Sequence, residues 1–123
     1  DGRRSLRFGG FSFRFSACEP GASPPPDGLR SVAVPASLLP RLTLRTALPG
    51  DRIHPFGAGG GKELRRYLTD RKVDAPFRPY LPLVCLSGEV LWAAGAGASE
   101  GTRLDGRPAV NITVSGALPW LAR

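Results

Sequence analysis

The sequence predicts an α+β domain built from short strands with one or two helices between them. Three observations carry that reading. Apolar and polar residues alternate in several short runs, which is the period of a strand with one buried face. Glycine (16) and proline (13) are abundant in a chain of 123 residues, and they divide it into short elements. Helical spacing is confined to one stretch after residue 61 and a proline-broken piece behind it.

The elements follow in order. In the segment 5–17, Phe11, Phe13 and Phe15 point one way and Ser12, Arg14 and Ser16 the other, with Gly9 and Gly10 marking a turn or bulge just before. Residues 19–30, with three consecutive prolines, exclude a helix or a central strand and read as a loop. Val32 and Val34 suggest a short strand, residues 35–40 one helical turn, and Leu42 and Leu44 a further strand ending near Pro49-Gly50. A glycine-rich loop, Gly57 to Gly61, leads into a helix expected from about Lys62 to Thr69. On it Lys62, Arg65, Arg66 and Thr69 share one face at helical spacing, while Leu64, Tyr67 and Leu68 share the face that packs on the sheet. Val73, Phe77, Tyr80 and Leu81 suggest a second helical piece interrupted by Pro76, Pro79 and Pro82. Ser87-Gly88 between two apolar runs is a hairpin signal, and Val110, Ile112 and Val114 alternate in a final strand.

One domain accounts for the whole span 1–123, and its length is enough for a core without metal or disulfide staples. The first residue is Asp1 and there is no methionine, so a fragment of a longer chain is expected. Cys18 and Cys85 form no CxxC pair and, with the single histidine His54, complete no zinc set; two buried thiols in a reducing cytoplasm are the expectation. No apolar run is long enough to span a bilayer, and no membrane partner is expected.

The net charge of +7 attracts polyanions through Coulomb forces and counterion release. From Arg52 to Arg78 there are seven basic residues against three acidic ones, a net +4. Glycines let backbone N–H groups approach a phosphate, and a helix start favours negative charge. A solvated amphipathic helix with surface arginines explains the same pattern without a ligand. The loop is no nucleotide-binding P-loop, because Glu63 stands where Ser or Thr should follow the lysine. No nucleophile, base and orienting group cluster in sequence, and His54 has no identifiable catalytic partner. Trp92, in an apolar hairpin, reads as core; Trp120 is left open between packing and base stacking.

The block from Arg45 to Gly97 carries a resemblance. It shows Arg45, Gly50-Asp51-Arg52, Pro55, Gly57, Gly60, Lys62, Leu64, Arg65, Arg66 and Asp70 in that order. Lys72-Val73, Arg78, Leu81-Pro82-Leu83, Leu91-Trp92 and Gly95 complete it. In order and spacing this is similar to the C-terminal domain of bacterial tRNA(Ile)-lysidine synthases. The flanks, 1–40 and 98–123, fit only in strand pattern.

The resemblance implies a small sandwich-like α+β fold, shared with a domain of the phenylalanyl-tRNA synthetase β-subunit. It implies a parent enzyme of the cytoplasm, an ATP-dependent carbon–nitrogen ligase of tRNA modification. Such an enzyme adenylates the wobble cytidine of tRNA(Ile) bearing a CAU anticodon, and free lysine then displaces AMP to give lysidine. ATP, lysine and magnesium belong to a PP-loop catalytic domain with an SGGxDS motif, which does not occur here. The fragment is therefore expected to be non-catalytic, without cofactor or metal, and to grip tRNA around the acceptor stem. Its expected partners are that tRNA and its own N-terminal catalytic domain, with a homodimer as a further possibility. Arg52, Lys62, Arg65, Arg66, Lys72 and Arg78 are the expected tRNA contacts. Arg45, Gly50, Asp51, Gly57 and Gly60 are expected to shape the backbone, Asp51 by capping a turn or pairing with Arg45 or Arg52. The alternatives are an RNA-binding appendage of another tRNA enzyme, such as an aminoacyl-tRNA synthetase, and an intramolecular packing or dimerisation domain. A free-standing small enzyme ranks last.

Overall fold

The computed structural model describes residues 4–18, 28–55, 59–102 and 108–120. The phenylalanine segment folds as a hairpin. Strands β1 (Arg4–Phe8) and β2 (Phe11–Cys18) pair antiparallel, with Phe8 opposite Phe11, and Gly9 turns the chain at φ 60°. Phe11 and Phe13 are buried. Strands β3 (Ser31–Pro35) and β10 (Ala109–Ser115) complete a four-stranded antiparallel sheet in the order β1-β2-β10-β3. The last strand of the sequence thus lies inside the sheet, where its alternating Ile112 and Val114 are buried.

A second sheet comes from the middle of the chain. Its strands are β4 (Leu42–Arg45), β5 (Arg52–Ile53), β6 (Lys62–Glu63), β7 (Leu83–Leu86), β8 (Glu89–Ala93) and β9 (Gly97–Ala98). The order is β4-β7-β8-β5-β6, with β9 also on β8; among the described residues only the β5–β8 pair is parallel. Ser87 and Gly88 turn β7 into β8 with φ of 51° and 85°, the two positive values a tight right-twisted hairpin needs. The two sheets meet through their aromatics. Phe13 of β2 stands edge-on to Trp92 of β8, ring centres 6.1 Å apart at 88°. Trp92 Nε1 donates to the carbonyl of Gly28 at 2.9 Å, so its polar atom is satisfied inside the core. The expected sandwich-like α+β fold is the one observed.

Two 3₁₀ segments, Ala36–Arg41 and Ala75–Tyr80, stand where the helical turn and the proline-broken piece were expected. Helix α1 (Leu64–Asp70) starts two residues later than its periodicity suggested. Lys62 and Glu63 are extended because they pair with Ile53 and Arg52, and the Leu64 N–H is taken by the carbonyl of Asp51 at 2.9 Å. The buried face is the expected one, Leu64, Tyr67 and Leu68. Burying two leucines and a tyrosine compensates for a helix too short to be stable alone.

The helix ends in a Schellman motif. The Val73 N–H reaches the Leu68 carbonyl (2.9 Å) and the Lys72 N–H reaches that of Thr69 (3.0 Å). Lys72 holds φ 62° at the position where glycine is usual. Lys72→Gly is therefore expected to stabilise the domain by about 0.5–1 kcal/mol. A thermal melt or urea titration reads it; a fall in stability would mean that Lys72 side-chain contacts outweigh the backbone strain.

Candidate nucleic-acid interface

The site rests on one ion pair. The Arg45 guanidinium, at the end of β4, grips the Asp51 carboxylate with both forks, at 2.9 Å to Oδ2 and 2.8 Å to Oδ1. Asp51 also accepts the Leu48 N–H at 2.7 Å, and its side chain is only 8% exposed. Arg45 additionally donates to the carbonyl of Thr46. The hydrogen bonds from Arg45 hold the Asp51 carboxyl below the usual range, and the same contact raises the arginine. Of the two arginines considered for Asp51, the structure selects Arg45. With Gly50 at φ 85°, the turn 46–51 becomes a fixed loop whose last carbonyl receives the start of α1.

Beside that turn, Lys62, Arg65, Arg66 and Arg78 line one open groove of about 620 Å³, with Glu63, Thr69 and Asp70. Four of the six expected tRNA contacts therefore share a surface. Arg78 arrives from the second 3₁₀ segment, not from the helix. It is held by Nε to the Val73 carbonyl (3.0 Å) and by a terminal nitrogen to Thr69 Oγ1 (3.0 Å). Thr69 in turn donates to the Arg65 carbonyl at 3.1 Å. Lys62 pairs with Asp70 at 2.8 Å, and that contact draws the exposed Asp70 carboxyl down. An exposed pair of this kind contributes little and can exchange its carboxylate for a phosphate.

The other two expected contacts lie apart from this groove. Arg52, exposed on β5, stands beside His54 and the backbone of Gly61. Lys72 sits in the left-handed position that closes α1. Arg71, not one of the six expected contacts, is engaged by Tyr67: its guanidinium lies 5.4 Å from the Tyr67 ring centre and bonds the Tyr67 hydroxyl at 3.2 Å. The expected helical stripe is corrected accordingly. Lys62 reaches the groove from β6, and two strand residues separate the glycine loop from the helix. The picture of glycines opening straight into a helix start fails for that reason, since the first helical N–H already has Asp51 as partner. Gly60 falls at the end of this loop; Gly57, the Cys18 side chain and the loop 19–27 lie outside the described residues.

Residues 42–114 match the family model described as the TilS substrate C-terminal domain, a span that contains the whole ion pair and groove. The chain belongs to that family. The family domain is similar here to the tRNA(Ile)-lysidine synthase of Symbiobacterium thermophilum, 40% identical over 75 residues, which are 59% of this chain and 16% of that protein. The counterpart in Caldanaerobacter subterraneus subsp. tengcongensis is 33% identical over 64 residues, 52% of this chain and 14% of its own. The chain thus spans only about a sixth of the length of these relatives. A solved structure, "Crystal structure of TILS C-terminal domain", superposes with a TM-score of 0.70 over 89% of this chain and 87% of that one, at 24% identity, and shows the shared fold.

Other residues weighed from sequence take structural places in this family domain. His54 Nδ1 lies 3.8 Å from Glu89, half exposed, with no nucleophile beside it among the described residues. Trp120 is buried, donating to the Ala94 carbonyl at 3.0 Å between Phe11 and Phe77, so its open assignment resolves to packing. Cys85 is a buried free thiol whose pKa burial pushes up. Among the described residues no helix is long and apolar enough to cross a membrane, and no three His, Cys, Asp or Glu side chains gather around a common point.

Proposed function

We propose that this chain is the tRNA-gripping C-terminal part of an ATP-dependent tRNA(Ile)-lysidine synthase, and that it holds the acceptor stem while a separate PP-loop domain does the chemistry. The convergence of Lys62, Arg65, Arg66 and Arg78 on one open groove carries the reading, together with family membership. An A-form stem offers two rows of phosphates and a wide shallow groove, and its bases are hard to reach from the deep one. Arginines that line a groove at the rim of a rigid turn suit backbone and shape recognition. In this reading the parent enzyme uses ATP, lysine and magnesium at its N-terminal domain to convert the wobble cytidine of a CAU anticodon to lysidine, in the cytoplasm. Arg52 and Lys72, which lie apart from the groove, would contact the RNA outside it.

Binding of tRNA by the full chain across a salt series tests this. The double variant Arg65→Ala, Arg66→Ala is expected to bind about tenfold more weakly near 0.1 M salt. The slope of log affinity against log salt should fall by about two, one per lost phosphate contact. Both side chains are exposed, so folding should be unaffected. An unchanged affinity and slope would remove this face from the interface.

A further inference from the structure

We propose that the cleft between the turn 46–51 and α1 takes a single unpaired nucleotide of the bound RNA, its base against the apolar wall and its phosphate on Arg65 and Arg78. The inference rests on the RNA-binding reading above and adds a second kind of contact to it.

The cleft measures about 540 Å³, within the range of small-molecule pockets. It differs in character from the cationic groove. Leu48, Pro49, Leu64, Leu68, Ala75 and Pro79 make up half of its lining. Leu48 is 57% exposed, one of three large apolar side chains left open to solvent among the described residues. The Arg45–Asp51 pair explains why it stays there. Asp51 binds the Leu48 N–H, so the turn cannot fold its leucine inward without breaking a buried carboxylate contact.

The position of the cleft commits it to one occupant. Glu63, Arg65 and Arg78 line both this cleft and the cationic groove, so the two hollows meet along a shared rim. A phosphate chain lying in the groove would pass its next residue over that rim. Paired bases in a duplex are stacked and expose no face to an apolar wall. An unpaired nucleotide does expose one, and guanidinium planes and apolar side chains are the usual partners of such a base. Of the two acidic residues in the lining, Asp51 is neutralised by Arg45, so it does not repel the sugar-phosphate. Glu63 offers an acceptor that a base amino group can use.

The test compares two RNA hairpins with the same stem, one blunt and one with a single-stranded 3′ extension, binding to the full chain at fixed salt. The extended hairpin is expected to bind about tenfold tighter, the effect of one stacked base. Leu48→Ser, and separately Ala75→Trp, which fills the cleft from an exposed position, should remove that difference and leave blunt-hairpin affinity unchanged. Equal affinity of the wild-type chain for both hairpins overturns the proposal while leaving the groove reading intact. A difference that survives in both variants also overturns it, by placing the extension elsewhere. Failure to bind either hairpin at low salt overturns the groove reading, and the nucleotide pocket with it.

Discussion

Asp51→Ala is expected to destabilise the domain by about 3 kcal/mol and, on the proposed function, to weaken RNA binding as well. The substitution removes two hydrogen bonds from Arg45 and one from the Leu48 N–H. It leaves the Arg45 guanidinium, whose side chain is 21% exposed, without its counter-charge. Breaking such a pair from one side costs about 3–5 kcal/mol when fully buried, and partial exposure of the arginine places this case at the lower end. Because a small domain has only about 5–15 kcal/mol in total, the loss is easily read in a urea titration. Asp51→Asn keeps the shape and one acceptor for Leu48, so about 2 kcal/mol is expected there.

Acid should erase that difference. The Asp51 carboxyl is held below its ordinary range in the folded chain by Arg45. The unfolded chain therefore takes up the proton more readily, and the stability from the pair is complete above the unfolded pKa of about 4. It is lost as the pH falls through the lower, folded value. Wild type and Asp51→Ala should differ fully at neutral pH and converge only as the pH falls through the lowered folded value. A gap that persists unchanged in acid would show that hydrogen-bond shape, not the ion pair, holds the turn. RNA affinity should follow stability at neutral pH, because the same turn fixes one wall of the cleft and the carbonyl that receives α1.

Much of this architecture was legible because local pattern and tertiary packing agree. Phe11 and Phe13, Val32 and Val34, and Ile112 and Val114 alternate in sequence and are buried in strands. The Ser87-Gly88 hairpin was readable from two turn-forming residues between apolar runs. What local pattern cannot give is pairing at long range. Lys62 and Glu63 have helical spacing relative to Arg65 and Arg66, yet Arg52 and Ile53 draw them into a strand. Lys62, Arg65 and Arg66 were legible as neighbours; Arg78 joining them depends on a hydrogen bond to Thr69, nine residues away across the helix end. The choice of Arg45 over Arg52 for Asp51 depends on how β4 approaches the turn, which no spacing encodes. Leu48 carried no signal at all, since an isolated leucine in a loop is ordinary until the structure shows it lining a cleft.

Gly95→Ala should be the more damaging of the small substitutions, with a loss of about 3 kcal/mol or more and a fall in Tm of roughly 10 °C. Two penalties act together. Gly95 holds φ 78°, where a side chain strains the backbone by about 1–2 kcal/mol. An added Cβ would also run into Trp120 Nε1, with Trp120 Cδ1 at 3.0 Å. Trp120 cannot yield cheaply. Its indole N–H is committed to the Ala94 carbonyl, and its ring is wedged between Phe11 and Phe77 at centre distances of 6.1 and 5.9 Å. Moving it would disturb β2 of one sheet and the 3₁₀ segment that carries Arg78, so a distant glycine is coupled to the cationic groove through packing. A double-mutant cycle separates the two penalties. In a Trp120→Ala background the steric part disappears, and Gly95→Ala should then cost only about 1–2 kcal/mol, the backbone strain alone. Additive losses in the cycle would mean that the clash with Trp120 is relieved elsewhere and that the glycine is required for its φ only.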